Sequence, residues 1–168
     1  MAAVQIIGAD DLERALAGLP EKIQKKALRQ ALNFAATPVI RRARSMAPVA
    51  EGDLRKSLGK KVILSRDPMK GGSVLIGPRT KFAGKNPGKS PARTAHLVEL
   101  GTAPHLIPAN PVLSIGPIQI RGSVSHPGNA AQPFLRPAFE ATKGAAIDRF
   151  GDKLGSAIEK LASKSGRA

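Results

Sequence analysis

From Pro137 to the C-terminus the chain has no further proline, and Leu135, Ala138, Phe139, Ala146, Phe150, Leu154, Ile158 and Leu161 recur there at three- and four-residue steps. That is the period of an amphipathic helix with one apolar stripe, so a closing helix is predicted. Ahead of it, Pro127-Gly128 marks a turn, because proline sets φ and glycine accepts a positive φ. Pro133 suits the first helical position, where a missing N–H costs nothing, and Pro137 falls in or near the first turn. Phe134 and Phe139, two of the five Phe in the chain, are expected to pin the helix start to a core. Gly144, Gly151 and Gly155 each weaken a helix by ~1 kcal/mol relative to Ala. Tertiary packing must hold this helix, and a close neighbouring element or subunit is expected against its glycines.

The core behind it has to be aliphatic. Trp and Tyr are absent and aromatics make up 3% of the 168 residues, so Leu, Ile, Val and Ala carry the burial. A chain of this length reads as a single domain over 1–168. With no Cys there is no disulfide framework and no thiolate metal site. The apolar runs fall short of the ~20 residues of a membrane span. The N-terminus has no basic segment ahead of an apolar one and does not read as a signal peptide. A soluble protein made inside the cell is the expectation.

Upstream, Val4, Ile6 and Ile7 suggest an edge strand ending at Gly8. Asp10 or Asp11 can cap a short helix with Leu12, Ala15, Leu16 and Leu19 on one face, which Gly18 and Pro20 interrupt. A long helix is predicted from about Pro20 to about Ala47, with Ile23, Ala27, Ala31 and Ala35 in one row. Pro38 lies inside it and predicts a kink near Phe34 to Thr37. Asp53 can cap a turn of helix, or the entry to a strand, that carries Leu54 and Leu58. Two hairpins follow from short β-branched and aliphatic runs: Lys61–Leu64 with Val74–Ile76, and Val112–Ile115 with Ile118–Arg121. Between them a short helix over 94–100 ends at Gly101. The fold class is α+β, a small antiparallel sheet of two hairpins against the long kinked helix and the C-terminal helix, with a frayed tail from about 163.

The net charge of +15 favours polyanionic partners, nucleic acid first. Residues 41–93 hold fourteen Lys and Arg against three acids, a local excess of eleven. Lys22, Lys25, Lys26, Arg29, Arg41, Arg42 and Arg44 lie along the long helix; such a face is ordinarily solvated, and otherwise forms a basic wall toward nucleic acid or an acidic partner. The stretch 77–93 adds Arg79, Lys81, Lys85, Lys89 and Arg93 among Gly and Pro with no acid. It reads as a mobile arm for DNA or for a neighbouring subunit, with Phe82 as anchor or stacking group.

Catalytic patterns are missing: no phosphate loop, dinucleotide fingerprint or His-Glu-x-x-His pair occurs, and no serine has a nucleophile-elbow context. His96 and Glu99 share a helical face and could be joined on paper by His105 and His126 into a metal site. Packed or solvent-facing histidines are the better reading. No enzyme activity, no cofactor and no metal is assigned. The basic region lacks the aromatic interleaving of single-strand binders and suits sequence-independent phosphate contact.

Three segments carry a resemblance. His126-Pro127-Gly128, followed by Pro133-Phe134-Leu135-Arg136-Pro137-Ala138, resembles the C-terminal signature of the neck and tail-completion proteins of long-tailed double-stranded DNA phages, a family that includes relatives of the lambda-like minor tail protein Z. Gly52, Leu54 and Ser57 match its Thr-Gly-x-Leu-x-x-Ser step, with Glu51 in place of Thr. Glu99, Gly101 and Thr102 match its Tyr-Ala-x-x-Val-Glu-x-Gly-Thr segment, with Thr94 in place of the aromatic residue. The resemblance implies a structural virion protein of the neck or tail, assembled in the host cytoplasm. It further implies a homo-oligomeric ring, a hexamer by the sixfold symmetry of such necks. Connector or stopper proteins and tube or terminator proteins would be partners, with non-specific contact to genomic DNA. A free-standing, basic, sequence-independent DNA-binding protein is the alternative.

Overall fold

The computed structural model describes residues 9–82, 90–108 and 112–165. Five α-helices and six strands follow in the order α1 (Ala9–Ala17), α2 (Glu21–Met46), α3 (Asp53–Ser57), β1 (Leu58–Leu64), β2 (Gly72–Pro78), α4 (Pro91–Leu100), β3 (His105–Ile107), β4 (Val112–Ile115), β5 (Ile118–Arg121), β6 (Val124–His126) and α5 (Leu135–Ser165) among the described residues, with a 3-10 turn over Pro68–Lys70 between β1 and β2. The α+β class holds. The edge strand expected at Val4–Ile7 lies outside the described residues.

The frame is the antiparallel pair α2 and α5. Ile40, Ala43 and Ala47 at the end of α2 cluster with Phe134 and Ala138 at the head of α5. Ala27 and Ala31 near the start of α2 cluster with Leu154, Ala157 and Ile158 toward the other end of α5. Ala27, Ala31, Ala43 and Ala138 are fully buried, and such small side chains let two helix axes approach closely. Gly144 and Gly151 do not take part in that approach: a Cβ at either would meet nothing within 4 Å. The neighbour expected against those two glycines is therefore not supplied by the described chain.

α2 begins one residue after Pro20, which serves as its N-cap, and its helical assignment is continuous through Pro38. The Thr37 hydroxyl donates to the Asn33 carbonyl beside the amide that Pro38 lacks. α1 packs against α5 through Leu16. Its junction with α2 is closed by Gln24, whose side-chain amide is buried and donates to the Leu19 carbonyl at 2.7 Å. Asp10 and Asp11 lie in the first turn of α1 rather than before it, where they still favour the positive helix end. Asp53 likewise opens α3, with Gly52 as N-cap at φ 82°.

The first hairpin forms as expected. β1 and β2 pair antiparallel from Leu58↔Pro78 to Leu64↔Gly72, and both lie on α2. The second, β4 with β5, pairs from Val112↔Arg121 to Ile115↔Ile118 around Gly116 at φ 60°. The two do not join into one sheet. Each is a separate two-stranded ladder, and a third ladder, β3 with β6, brackets β4 and β5 in sequence. β4 and β5 pack chiefly on each other, and Ile118 is 60% exposed. Strands of four residues offer too little apolar area to hold a place against the helices.

α4 starts earlier than the apolar pattern indicates, because Pro91 takes its first position where no N–H is needed. α5 starts later, at Leu135, and its assignment runs to Ser165; residues 166–168 lie outside the described residues.

Candidate functional site

The C-terminal halves of the two later motifs meet at the head of α5. That helix has no Ser, Thr, Asp or Asn at its start, so its first amides need a partner from elsewhere. Glu99 supplies it. The Phe134 and Leu135 amides donate to Glu99 Oε2 at 2.8 and 2.9 Å, and the Arg136 amide donates to Oε1 at 2.9 Å. The next residue is Pro137, which has no N–H, so one carboxylate satisfies every donor the helix presents there. Desolvation raises the Glu99 pKa, but the bonds from Arg136, Leu135 and Phe134 together outweigh it and hold the group below the ordinary carboxylate range. The carboxylate also sits at the positive end of the α5 dipole.

Around this cap the chain is laced together. Thr102 and Asn129 form an isolated bridge, with the Thr102 amide donating to the Asn129 carbonyl at 2.9 Å. The Asn129 amide donates to both oxygens of Thr102. The Gln132 amide donates to the Val98 carbonyl at 2.8 Å. Gly101 and Gly128 have φ of 72° and 82°, and both lie where backbone crosses backbone. A Cβ on Gly101 would come within 2.7 Å of the Asn129 carbonyl, and one on Gly128 would run into the Thr102 carbonyl. His126 Nδ1 accepts the Gly128 amide at 3.0 Å, which leaves its Nε2 protonated in the neutral ring.

The first motif reaches the same place from below. Phe134 and Leu58 are fully buried and cluster with Ala95, and Leu54 packs on that cluster. Ser57 is also fully buried, its hydroxyl donating to the Leu54 carbonyl at 2.7 Å. Phe139, expected inside with Phe134, is 51% exposed. The reason is helical phase: Phe134 and Ala138 are four apart and face the core, whereas Phe139 is one step round. Pro133 precedes the helix instead of opening it, because the Glu99 cap sets the start at Leu135. Pro127 and Gly128 lie in irregular chain between β6 and the Asn129 bridge, with no turn assigned there, and Arg136 is exposed.

A groove of about 720 Å³ opens beside this junction, walled by Val49, Gly52, Leu54, Pro91, Arg93 and Val98 among others. Two motif positions, Gly52 and Leu54, are thus on its rim. A second, apolar groove of about 450 Å³ lies between α2, β2 and α5, with Leu32, Val39, Val74, Ile76 and Phe139 in its wall.

The five basic residues assigned to an arm are not placed as one unit. Gly77 and Pro78 complete β2, while Arg93 lies in the first turn of α4. Arg79 is seated on the Ser57 and Lys56 carbonyls, with its guanidinium 5.6 Å from the Phe82 ring. Lys81 is exposed in a turn. Lys85 and Lys89 lie outside the described residues. The histidines are divided as well. His105 and His126 face each other across β3 and β6 with ring centroids 5.0 Å apart, while His96 is exposed on α4. Among the described residues no group of three or more His, Asp or Glu is arranged to hold a metal. No described helix is long and apolar enough to cross a membrane.

Sequence reading did not find the capping role of Glu99. The available signal was negative: a helix start with Pro133 and Pro137 and no capping side chain of its own. It also did not single out Lys60, which reaches α2 and donates to the Thr37 hydroxyl at 2.9 Å. Burial first, and then the nearby Arg44 charge, lower the Lys60 pKa.

Residues 10–101, from α1 to the end of α4, match the model of a single protein family, and the signature around Pro133-Phe134 lies beyond the matched stretch. No curated protein and no solved structure gives a significant match. With more than half its length matched, the chain belongs to the HK97-gp10-like family, described as "Bacteriophage HK97-gp10, putative tail-component".

Proposed function

We propose that this phage tail protein works at the head–tail junction as a neck or tail-completion component, its copies forming a ring that connects or closes the tail tube around the DNA path. Family membership over residues 10–101 is the observation that carries the reading. The use of the motif residues supports it. Glu99, Gly101, Thr102, Gly128 and Phe134 hold one corner together by hydrogen bonds and packing, as suits a structural family. Exposed apolar side chains also stand at separate places on the surface, Phe139 in the wall of the α2–α5 groove, Leu75 on β2, Leu100 at the end of α4 and Leu106 on β3. A ring needs two different surfaces on each copy, since head-to-tail contacts close only when one patch meets another.

Negative-stain images and light scattering of the purified protein, alone and with its connector and tube proteins, test this. Rings, or joined particles that form only when the protein is added, are the expected result. The net charge of +15 favours one other reading, a free-standing DNA-binding protein. A monomer that coats DNA and leaves heads and tails unjoined would establish that reading instead.

A further inference from the structure

We propose, resting on the assembly of copies put forward above, that the β4–β5 hairpin is an arm whose apolar face seats in the α2–β2–α5 groove of a second copy of this chain. The register gives the hairpin that face. Leu113 is paired with Ile120, and Ile118 lies two residues before Ile120 on the same strand, so all three side chains project to one side. The opposite side carries Ser114 paired with Gln119, and Arg121 beside Val112. Within its own chain the apolar side has little to rest on. β4 and β5 pack chiefly on each other, Ile118 is exposed, and neither core cluster takes in Leu113 or Ile120. A two-stranded hairpin is marginal alone in water, and the strands here are four residues long. Covering the apolar side stabilises the hairpin by taking that surface out of water.

The groove offers a matching surface. Leu32 and Val39 of α2, Val74 and Ile76 of β2 and Phe139 of α5 line about 450 Å³, room for more than one aliphatic side chain. Arg136 is the one charged residue in its wall among the described residues. The hairpin of the same chain does not fill this space, and Phe139 stays half-exposed.

Charge selects a second copy as the occupant. Two chains of +15 repel, so they touch most readily where ionised side chains are sparse. Residues 100–120 hold no Asp, Glu, Lys or Arg, the longest such run in the chain, and the hairpin lies inside it up to Ile120. The α2 and β2 walls of the groove come from two further uncharged runs, 30–40 and 71–78. A nucleic acid or an acidic partner would find little to read on either surface beyond Arg121 and Arg136.

The chain has no cysteine, so introduced thiols are the only ones present. Full-length Ile118→Cys copies are mixed with Phe139→Cys copies and oxidised with copper–phenanthroline; a disulfide joining the two variants lies between copies. It is expected to form at least about tenfold faster than one between Ile118→Cys and Leu75→Cys copies, because Leu75 points to the side of β2 away from Val74 and Ile76. All three positions are exposed, so the variants should fold. Ile118→Lys should weaken self-association, read by light scattering, by at least about tenfold. Equal linking to positions 139 and 75, or self-association unchanged in Ile118→Lys, would overturn the arm. So would an Ile118→Cys link to a connector or tube protein with none between copies. Rings formed by Ile118→Lys would refute the arm and leave the ring reading standing. Links between copies in a parent that never exceeds a dimer would support the arm and refute the ring. A parent that is monomeric both alone and with its connector and tube proteins would remove both.

Discussion

The Phe134 amide donates to Glu99 Oε2 at 2.8 Å across thirty-five residues of sequence, while the Phe134 ring is fully buried in the core. One residue therefore joins the polar closure of α5 to its apolar seating. Glu99 fixes where the helix begins, and Phe134 fixes what it packs on.

Loss of the Glu99 carboxylate should be felt along the whole α2–α5 pair. Glu99→Ala leaves three amides without their acceptor and is expected to destabilise the fold by about 1–2 kcal/mol. Glu99→Gln keeps one acceptor oxygen and should cost less. Urea unfolding of both variants measures this, and an unchanged midpoint for Glu99→Ala would contradict the capping role.

Acid should expose the same interaction. The folded pKa of Glu99 is depressed below its unfolded value, so its contribution is fully present above the unfolded value. It is lost as pH falls through the folded one. Melting temperatures of the parent and of Glu99→Gln should thus differ at neutral pH and converge in acid. Glu140 is depressed too, by a hydrogen bond and then the charge of Lys143, but that pair is exposed and salt screens it. Melts at high ionic strength isolate Glu99. Parallel curves for the two proteins at every pH would count against the cap.

The two phenylalanines at the head of α5 should behave differently. Phe134→Ala opens a cavity beside Leu58 and Ala43 and is expected to cost ~3–5 kcal/mol. Phe139→Ala removes a half-exposed ring and should stay within about 0.5 kcal/mol. Chemical denaturation of the two side by side is decisive. Equal losses would mean that Phe139 is buried in solution, by this chain or another copy.

Two glycines separate backbone strain from collision. Gly52 and Gly128 share φ of 82°, but a Cβ at Gly52 meets nothing within 4 Å. Gly52→Ala should cost about 1–2 kcal/mol from left-handed conformation alone. Gly128→Ala should cost clearly more, because the new methyl meets the Thr102 carbonyl. Amide exchange should then show protection lost at Thr102 and Asn129. Similar stability in the two variants would mean that the crossing has room to yield.

Local physics carried much of this architecture in the sequence. Apolar spacing placed α1, α2, α4 and α5 within a few residues, because a helix must show one greasy stripe wherever it packs. Runs of β-branched residues around Gly and Pro marked both hairpins, because turn chemistry is local. The three motif segments were visible as well, though not what they do. Tertiary structure alone decided that Glu99 reaches the head of α5 and moves its start past Pro133, since that bond spans thirty-five residues. It decided that Phe139 turns away from the core that holds Phe134, since one residue of helical phase is a rotation of about 100°. It also set Lys60 of β1 against Asn33 and Thr37 of α2, within reach of the Arg44 charge, and Arg79 on the carbonyls of Ser57 and Lys56. A sequence counts charges along one dimension, but carbonyl acceptors on a folded backbone determine which of them meet.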